Sequence, residues 1–196
     1  MLFSKIFAGV ALAASASAAL TAQQISDGIK SITTKSQQLQ GPAQSITIVN
    51  AALIVIGQGP FPTLIAGFTD IVSTATTLAS QLDGTAPIQK REKEHARDLS
   101  PRGPDADLVF NSFREFVRVH QALLSILIGK AGILEQLPVV GPPVAAVLRQ
   151  VEGVVDSIAI TLINLVQSRA GDLESEADSL GNTLDLAIQK YQGLQV

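Results

Sequence analysis

The chain has 196 residues, 46% of them hydrophobic and only 16% charged, with a formal net charge of −3, where a soluble domain typically carries about 25% charged residues. A mean hydropathy of +0.33 excludes disorder over most of the length, and the slight acidity excludes a basic nucleic-acid binder. No cysteine, no tryptophan, one tyrosine and two histidines exclude disulfide scaffolds and thiol catalysis, and leave little for metal, triad or stacking chemistry.

Residues 1–18 read as a secretory signal peptide: Lys5 gives a positive start, Ile6 to Ala14 an apolar core, and Ala16-Ser17-Ala18 a cleavage signature. The expected destination is extracellular, with residues 19–196 as a single domain. A secreted chain without cysteine has to be held by packing alone, and this length can bury enough apolar surface to do so.

The mature part reads as all-α: an antiparallel bundle of about five helices joined by Gly/Pro turns. Ile25, Ile29, Ile32 and Leu39 recur at helical spacing, and Gly41-Pro42 is expected to end that helix. Ile46 to Ile56 is an apolar run whose Ile46-Thr47-Ile48-Val49 start also suits a strand. After Gly57 to Pro62, a stripe of Leu64, Phe68, Ile71, Val72, Ala75, Leu78 and Leu82 predicts a second long helix, ended by Asp83-Gly84. The longest helix is expected to open near Pro104-Asp105, with Asp105 as its cap. Its face carries Val109, Phe113, Phe116, His120, Leu123, Leu127 and Leu134. Val144, Val147, Val151, Val154, Ile158, Leu162 and Leu165 make a fourth stripe. Leu173, Ala177, Leu180, Leu184, Ile188 and Tyr191 make the last.

Two features depart from an ordinary bundle. No residue between Lys35 and Asp70 is charged. Such a window is either a central helix, apolar all round, or a surface that meets something apolar. The residues weigh slightly toward the interior position and leave both open. A transmembrane hairpin is disfavoured, because the runs are short and interrupted by Gly59-Pro60-Phe61-Pro62. The second feature is a concentration of charge from Gln89 to Asp105, which reads as a flexible linker over 83–104. Within it, Lys90-Arg91 is a candidate site for dibasic processing.

Catalytic motifs are absent: no G-x-S-x-G, H-E-x-x-H, Walker loop or dinucleotide fingerprint occurs. His95 falls in the charged linker. His120 lies on an apolar stripe, where a satisfied core histidine is the ordinary occupant. Glu174, Glu176 and Asp178 suit the first turns of the last helix, and a paired-acid glycosidase would need sugar-stacking aromatics that are missing. No catalytic residue, metal or cofactor is expected, and a hydrolase comes last among the readings.

The order of segments resembles the fungal hydrophobic surface-binding protein A family, related to cell-wall galactomannoproteins. The residues that carry the likeness are Ile25 to Leu39, Ile71-Val-Ser-Thr-Ala-Thr-Thr-Leu78, Leu123-Leu-Ser-Ile-Leu-Ile-Gly-Lys130 and Leu184-Asp-Leu-Ala-Ile-Gln-Lys-Tyr191. The likeness implies a secreted, non-enzymatic bundle that adsorbs to hydrophobic surfaces. It also implies a fatty acid held between the helices in some relatives, and recruitment of extracellular esterases. The chain departs from the family in its linker, and it lacks the Ser/Thr-rich anchored tail of wall-bound relatives. For an enclosed lipid, the expected apolar lining is Phe68, Val72, Phe113, Phe116, Leu124, Ile158 and Leu162, with His120 or Tyr191 meeting the head group. The alternative is a secreted structural or effector bundle that binds a host protein through an apolar helix face.

Overall fold

Each apolar stripe needs a partner surface, and five helices supply them to one another. The structure, a computed structural model, describes residues 19–51, 53, 56–88, 103–133 and 140–193. Residues 1–18, read as a signal peptide from sequence, Lys90-Arg91, most of the charged linker and Leu134 lie outside these residues. The elements are α1 (Ala22–Gln44), α2 (Ile48–Ala51), α3 (Pro60–Leu82), α4 (Pro104–Ala131), α5 (Gly141–Leu165) and α6 (Ala170–Gln192). A 3-10 turn, Gln167–Arg169, precedes α6. Among the described residues there is no strand, and no helix is long and apolar enough to cross a membrane.

Local chemistry sets the helix ends. Thr21 and Gln24 form a reciprocal capping box at the start of α1. Prolines occupy the first turns of α3, α4 and α5, where their missing N–H has no intrahelical partner to lose. Two expectations are corrected here. Asp105 is not a cap: Gly103 takes that position, and Asp105 sits in the first turn with Asp107, where the helix dipole favours both. Gly41-Pro42 does not end α1, which continues to Gln44 with Pro42 inside its last turn. The Ser45 hydroxyl then donates to the Pro42 carbonyl at 2.7 Å, satisfying one of the carbonyls left over at the helix end.

The long helices form a closed ring in the order α1, α3, α5, α6, α4 and back to α1. Side-chain pairs give their directions. Leu78 packs at Gly28 and Leu39 at Gly67, so α1 and α3 are antiparallel. A Cβ at Gly67 would stand 2.3 Å from a Leu39 methyl, so the glycine leaves the space that the Leu39 side chain fills in this rotamer. Ser26 meets Ser112 and Ser36 meets His120, so α1 and α4 run parallel. Asp107 meets Arg169 and Leu127 meets Tyr191, so α4 and α6 also run parallel. The expected antiparallel order therefore holds along the sequence, while these neighbours in the ring are parallel. Consecutive helices α3 and α4 are not ring neighbours, which is why a long connection joins them.

Five helices about 10 Å apart stand roughly 8.5 Å from their common axis, against roughly 7 Å for four. The wider middle needs large side chains. Phe61, Phe68, Phe113 and Tyr191 are all fully buried, and every stripe residue named above that is described is buried except the partly buried Val72 and Ala177.

The uncharged window divides. Ile46 is fully buried, but Ile48, Val49 and Ile56 are 65%, 83% and 66% exposed, and Leu53 is also exposed. The interior reading thus holds for Leu39, Ile46, Phe61, Leu64 and Phe68, whereas Ile48, Val49, Leu53 and Ile56 are exposed without any opening of the bundle. The reason is local. A short helix is set by Thr47 and Asn50, which cap each other's backbone, while Asn50 Nδ2 holds the Ser45 carbonyl at 2.6 Å. This sets α2 just past the end of α1, against α3, with Ile48 and Val49 in solvent. Farther along, Ser73, Thr76, Thr77 and Ser80 give α3 its polar face.

Candidate functional site

The interior of the ring is the candidate site. Phe113, Phe116, His120 and Leu124 follow at steps of three and four, so α4 turns all four to the same face. Phe68 reaches across from α3. Ring centroids are 6.1 Å apart for Phe113–Phe116, 5.3 Å for Phe116–His120 and 6.2 Å for Phe68–His120, the last pair edge-on. Of the expected lining, Phe68, Phe113, Phe116, Leu124, Ile158 and Leu162 are buried and Val72 is partly buried. Apart from Tyr191, the polar side chains buried among the described residues are Ser26, Thr33, Ser36, Thr85, Ser112 and His120, none of them charged at neutral pH.

The two expected head-group partners differ. Tyr191 Oη donates to the Leu127 carbonyl at 3.0 Å, and burial raises its phenol well above the ordinary value. Its hydrogen is therefore committed within the protein. His120 Nδ1 lies 2.9 Å from Ser36 Oγ, whereas Nε2 is buried and has no partner. Complete burial lowers its pKa to about 4, so the ring is neutral at physiological pH. The histidine is thus satisfied on one side only, and an unpartnered buried polar atom is uncommon in a native core.

Sequence reading missed Ser36. The signal was present: Ser36 lies on the α1 face between Ile32 and Leu39, a hydroxyl at a position the periodicity reserves for an apolar residue. Its hydroxyl also returns to the Ile32 carbonyl at 3.1 Å.

Two grooves on the outer surface are formed by described residues, and neither is lined by the expected ones. One, of about 660 Å³, lies between α5 and α6 and is lined by Glu152, Asp156, Glu174, Asp178 and Asp185 beside Ile160. Burial, then Asp185, raises the pKa of both Glu152 and Asp156. No group of acidic and histidine side chains suited to a metal occurs among the described residues. The other, of about 300 Å³ between α1 and α3, is lined by Ser31, Ser73, Thr74 and Thr77 with Leu78.

The two ends of the ring are unlike. At the base, where α1, α4 and α6 begin, Arg169 binds Asp107 and Asp172 at 2.6 Å each and lies 4.5 Å over the Phe110 ring. At the rim, Lys130 Nζ donates to the Ile46 carbonyl at 2.9 Å, and the exposed Ile48 and Val49 follow directly.

No family model matches the chain, and no curated protein matches it in sequence. Solved structures do match in fold. Afmp4p in complex with palmitic acid superposes with a TM-score of 0.68 at 15% identity, covering 87% of this chain and 99% of that one. Ligand binding domain 1 of the Penicillium marneffei MP1 protein, complexed with arachidonic acids, gives 0.61 at 19% identity over 84% and 94%. Ligand binding domain 2 of the same protein, also with arachidonic acids, gives 0.63 at 15% over 89% and 95%. At these identities the likeness is one of fold: this chain shares the helical architecture of fungal proteins solved with fatty acids.

Proposed function

We propose that this protein is a secreted, non-enzymatic carrier that holds a long-chain lipid, a fatty acid in the first instance, along the axis of its five-helix ring. The observation that carries the reading is a continuous apolar interior among the described residues, in which the ring nitrogen His120 Nε2 is buried without a partner. The fatty acids in three proteins of the same fold support it. Burial contributes about 0.8 kcal/mol per CH₂. A long chain then outweighs the cost of association and reaches micromolar affinity. Phe68, Val72, Phe113, Phe116, Leu124, Ile158 and Leu162 would part around the chain, and His120 would take the head group.

Native mass spectrometry of the secreted protein, before and after mild organic extraction, tests this. The expected result is a discrete mass difference of one or two acyl chains; an unchanged mass, together with no uptake of added palmitic acid, rejects the reading.

Adsorption to hydrophobic surfaces is a second activity, favoured by the exposed Ile48, Val49 and Ile56. It matches the behaviour of the surface-binding family that the sequence resembles. Recruitment of an extracellular esterase would follow from such adsorption. Retention on an apolar resin that drops on Val49→Ser substitution is the expected outcome.

A further inference from the structure

The lipid reading leaves open what kind of head group the interior accepts, and the hydrogen bonds around His120 bear on it. Ser36 has one hydroxyl hydrogen and two neighbours within reach, the Ile32 carbonyl at 3.1 Å and His120 Nδ1 at 2.9 Å. If the hydrogen goes to Ile32, Ser36 Oγ is free to accept from an Nδ1–H, and two hydrogen bonds form. If it goes to Nδ1, the ring proton must sit on Nε2, where it has no acceptor. The first arrangement makes one more bond and buries no orphaned N–H, which costs more than a bare acceptor lone pair. His120 is therefore held with its proton on Nδ1, and Nε2, the ring atom furthest from the backbone, is a bare acceptor in a greasy interior.

Resting on the lipid-binding reading, we infer that the site selects lipids whose head group donates a hydrogen bond, an alcohol or an un-ionised carboxylic acid, and rejects carboxylate anions and capped ends. An acceptor lone pair repels a carboxylate, and no counter-charge is available. On α1 the facing group is Ser36, on α3 Phe68 and on α4 Phe116. The buried residues of α5 are all apolar, and the one titratable side chain buried from α6 is Tyr191, already bound to Leu127. Fatty-acid binding is then coupled to proton uptake. Above about pH 5 a dissolved carboxylic acid is mostly ionised. Its apparent Kd should rise close to tenfold for each further pH unit, releasing cargo as the medium becomes alkaline, while the Kd of a fatty alcohol stays level.

Equilibrium dialysis with radiolabelled hexadecanol, hexadecyl methyl ether and palmitic acid at pH 6 and pH 8 tests the inference on the intact secreted protein. Hexadecanol should bind about tenfold more tightly than the ether at both pH values, and palmitic acid should weaken at least tenfold from pH 6 to pH 8. His120→Phe should abolish the preference for alcohol over ether. Ser36→Ala, which frees the ring proton to move to Nε2, should reduce it, and this smaller change serves if the phenylalanine variant does not fold. Equal affinity for alcohol and ether, or palmitic acid binding that is the same at both pH values, overturns the inference and leaves the lipid reading standing. Failure of all three to bind overturns both.

Discussion

The base and the rim of the ring solve the same problem, closing a bundle without disulfides, in opposite ways. At the base a single guanidinium ties the start of α4 to the start of α6 and lies on an aromatic face, with Arg169 only 14% exposed. Charge-assisted bonds that are largely shielded from water hold geometry tightly. At the rim one lysine meets one carbonyl, and a four-residue helix carries bare isoleucine and valine into solvent. Under the proposed carrier function, the rim with its exposed Ile48 and Val49 is the end at which a long apolar molecule would enter.

The sharpest way to break that contrast is Arg169→Ala. It leaves Asp107 and Asp172, 39% and 43% exposed, without their partner and should cost about 2 kcal/mol in denaturant unfolding. Lys130→Ala at the rim should cost less than about 1 kcal/mol. Comparable losses at the two sites would show that the ends are not mechanically different.

Acidification probes the middle, and the sign follows from the direction of the shift. The His120 pKa falls from 6.5 when unfolded to about 4 when folded, so the unfolded chain binds more protons between these values. The contribution is fully present above pH 6.5 and is lost as pH falls toward 4, by about 2 kcal/mol at pH 5 relative to pH 8. His120→Phe should remove this slope.

At the rim, Ile48→Ser with Val49→Ser removes apolar area already in water. Stability should stay within about 0.5 kcal/mol. Partition onto an apolar resin, and the rate of palmitic acid uptake from vesicles, should fall about tenfold. Unchanged uptake would locate entry elsewhere.

The smallest effect belongs to the acidic groove. Glu152 and Asp156 have raised folded pKa values, so protonation favours the folded state and stability decreases as pH rises through them. Asp185→Asn relieves the crowding and should stabilise by a few tenths of a kcal/mol at pH 7, vanishing in high salt.

How far the sequence could be read follows from which interactions are periodic. The stripes from Ile25 to Tyr191 declare a helix face wherever three- and four-residue steps recur, and the faces they name are the buried ones. The breaks at Gly57–Pro62 and Asp83-Gly84 were legible because glycine takes backbone angles that other residues avoid, with Gly57, Gly59 and Gly84 all at positive φ. Gly41-Pro42 misled because a proline costs a helix one N–H bond and a ring clash without stopping it outright, and α1 runs on to Gln44.

The partners of His120 were legible only in part. Phe113, Phe116 and His120 share a helix and could be grouped from spacing; Phe68 and Ser36 come from elsewhere in the chain, and no periodicity links them to His120.

The sequence by itself determined that five helices form, which side of each is buried, and that charge is missing from residues 36–69, because these depend on residue order within a few turns. Only the tertiary structure decided that the helices close in a ring with α3 and α4 apart, that Ile46 turns inward while Ile48 and Val49 face water, and that His120 keeps one nitrogen bare. Those outcomes depend on which surfaces meet across tens of residues, and packing complementarity between distant segments leaves no local trace in a one-dimensional string.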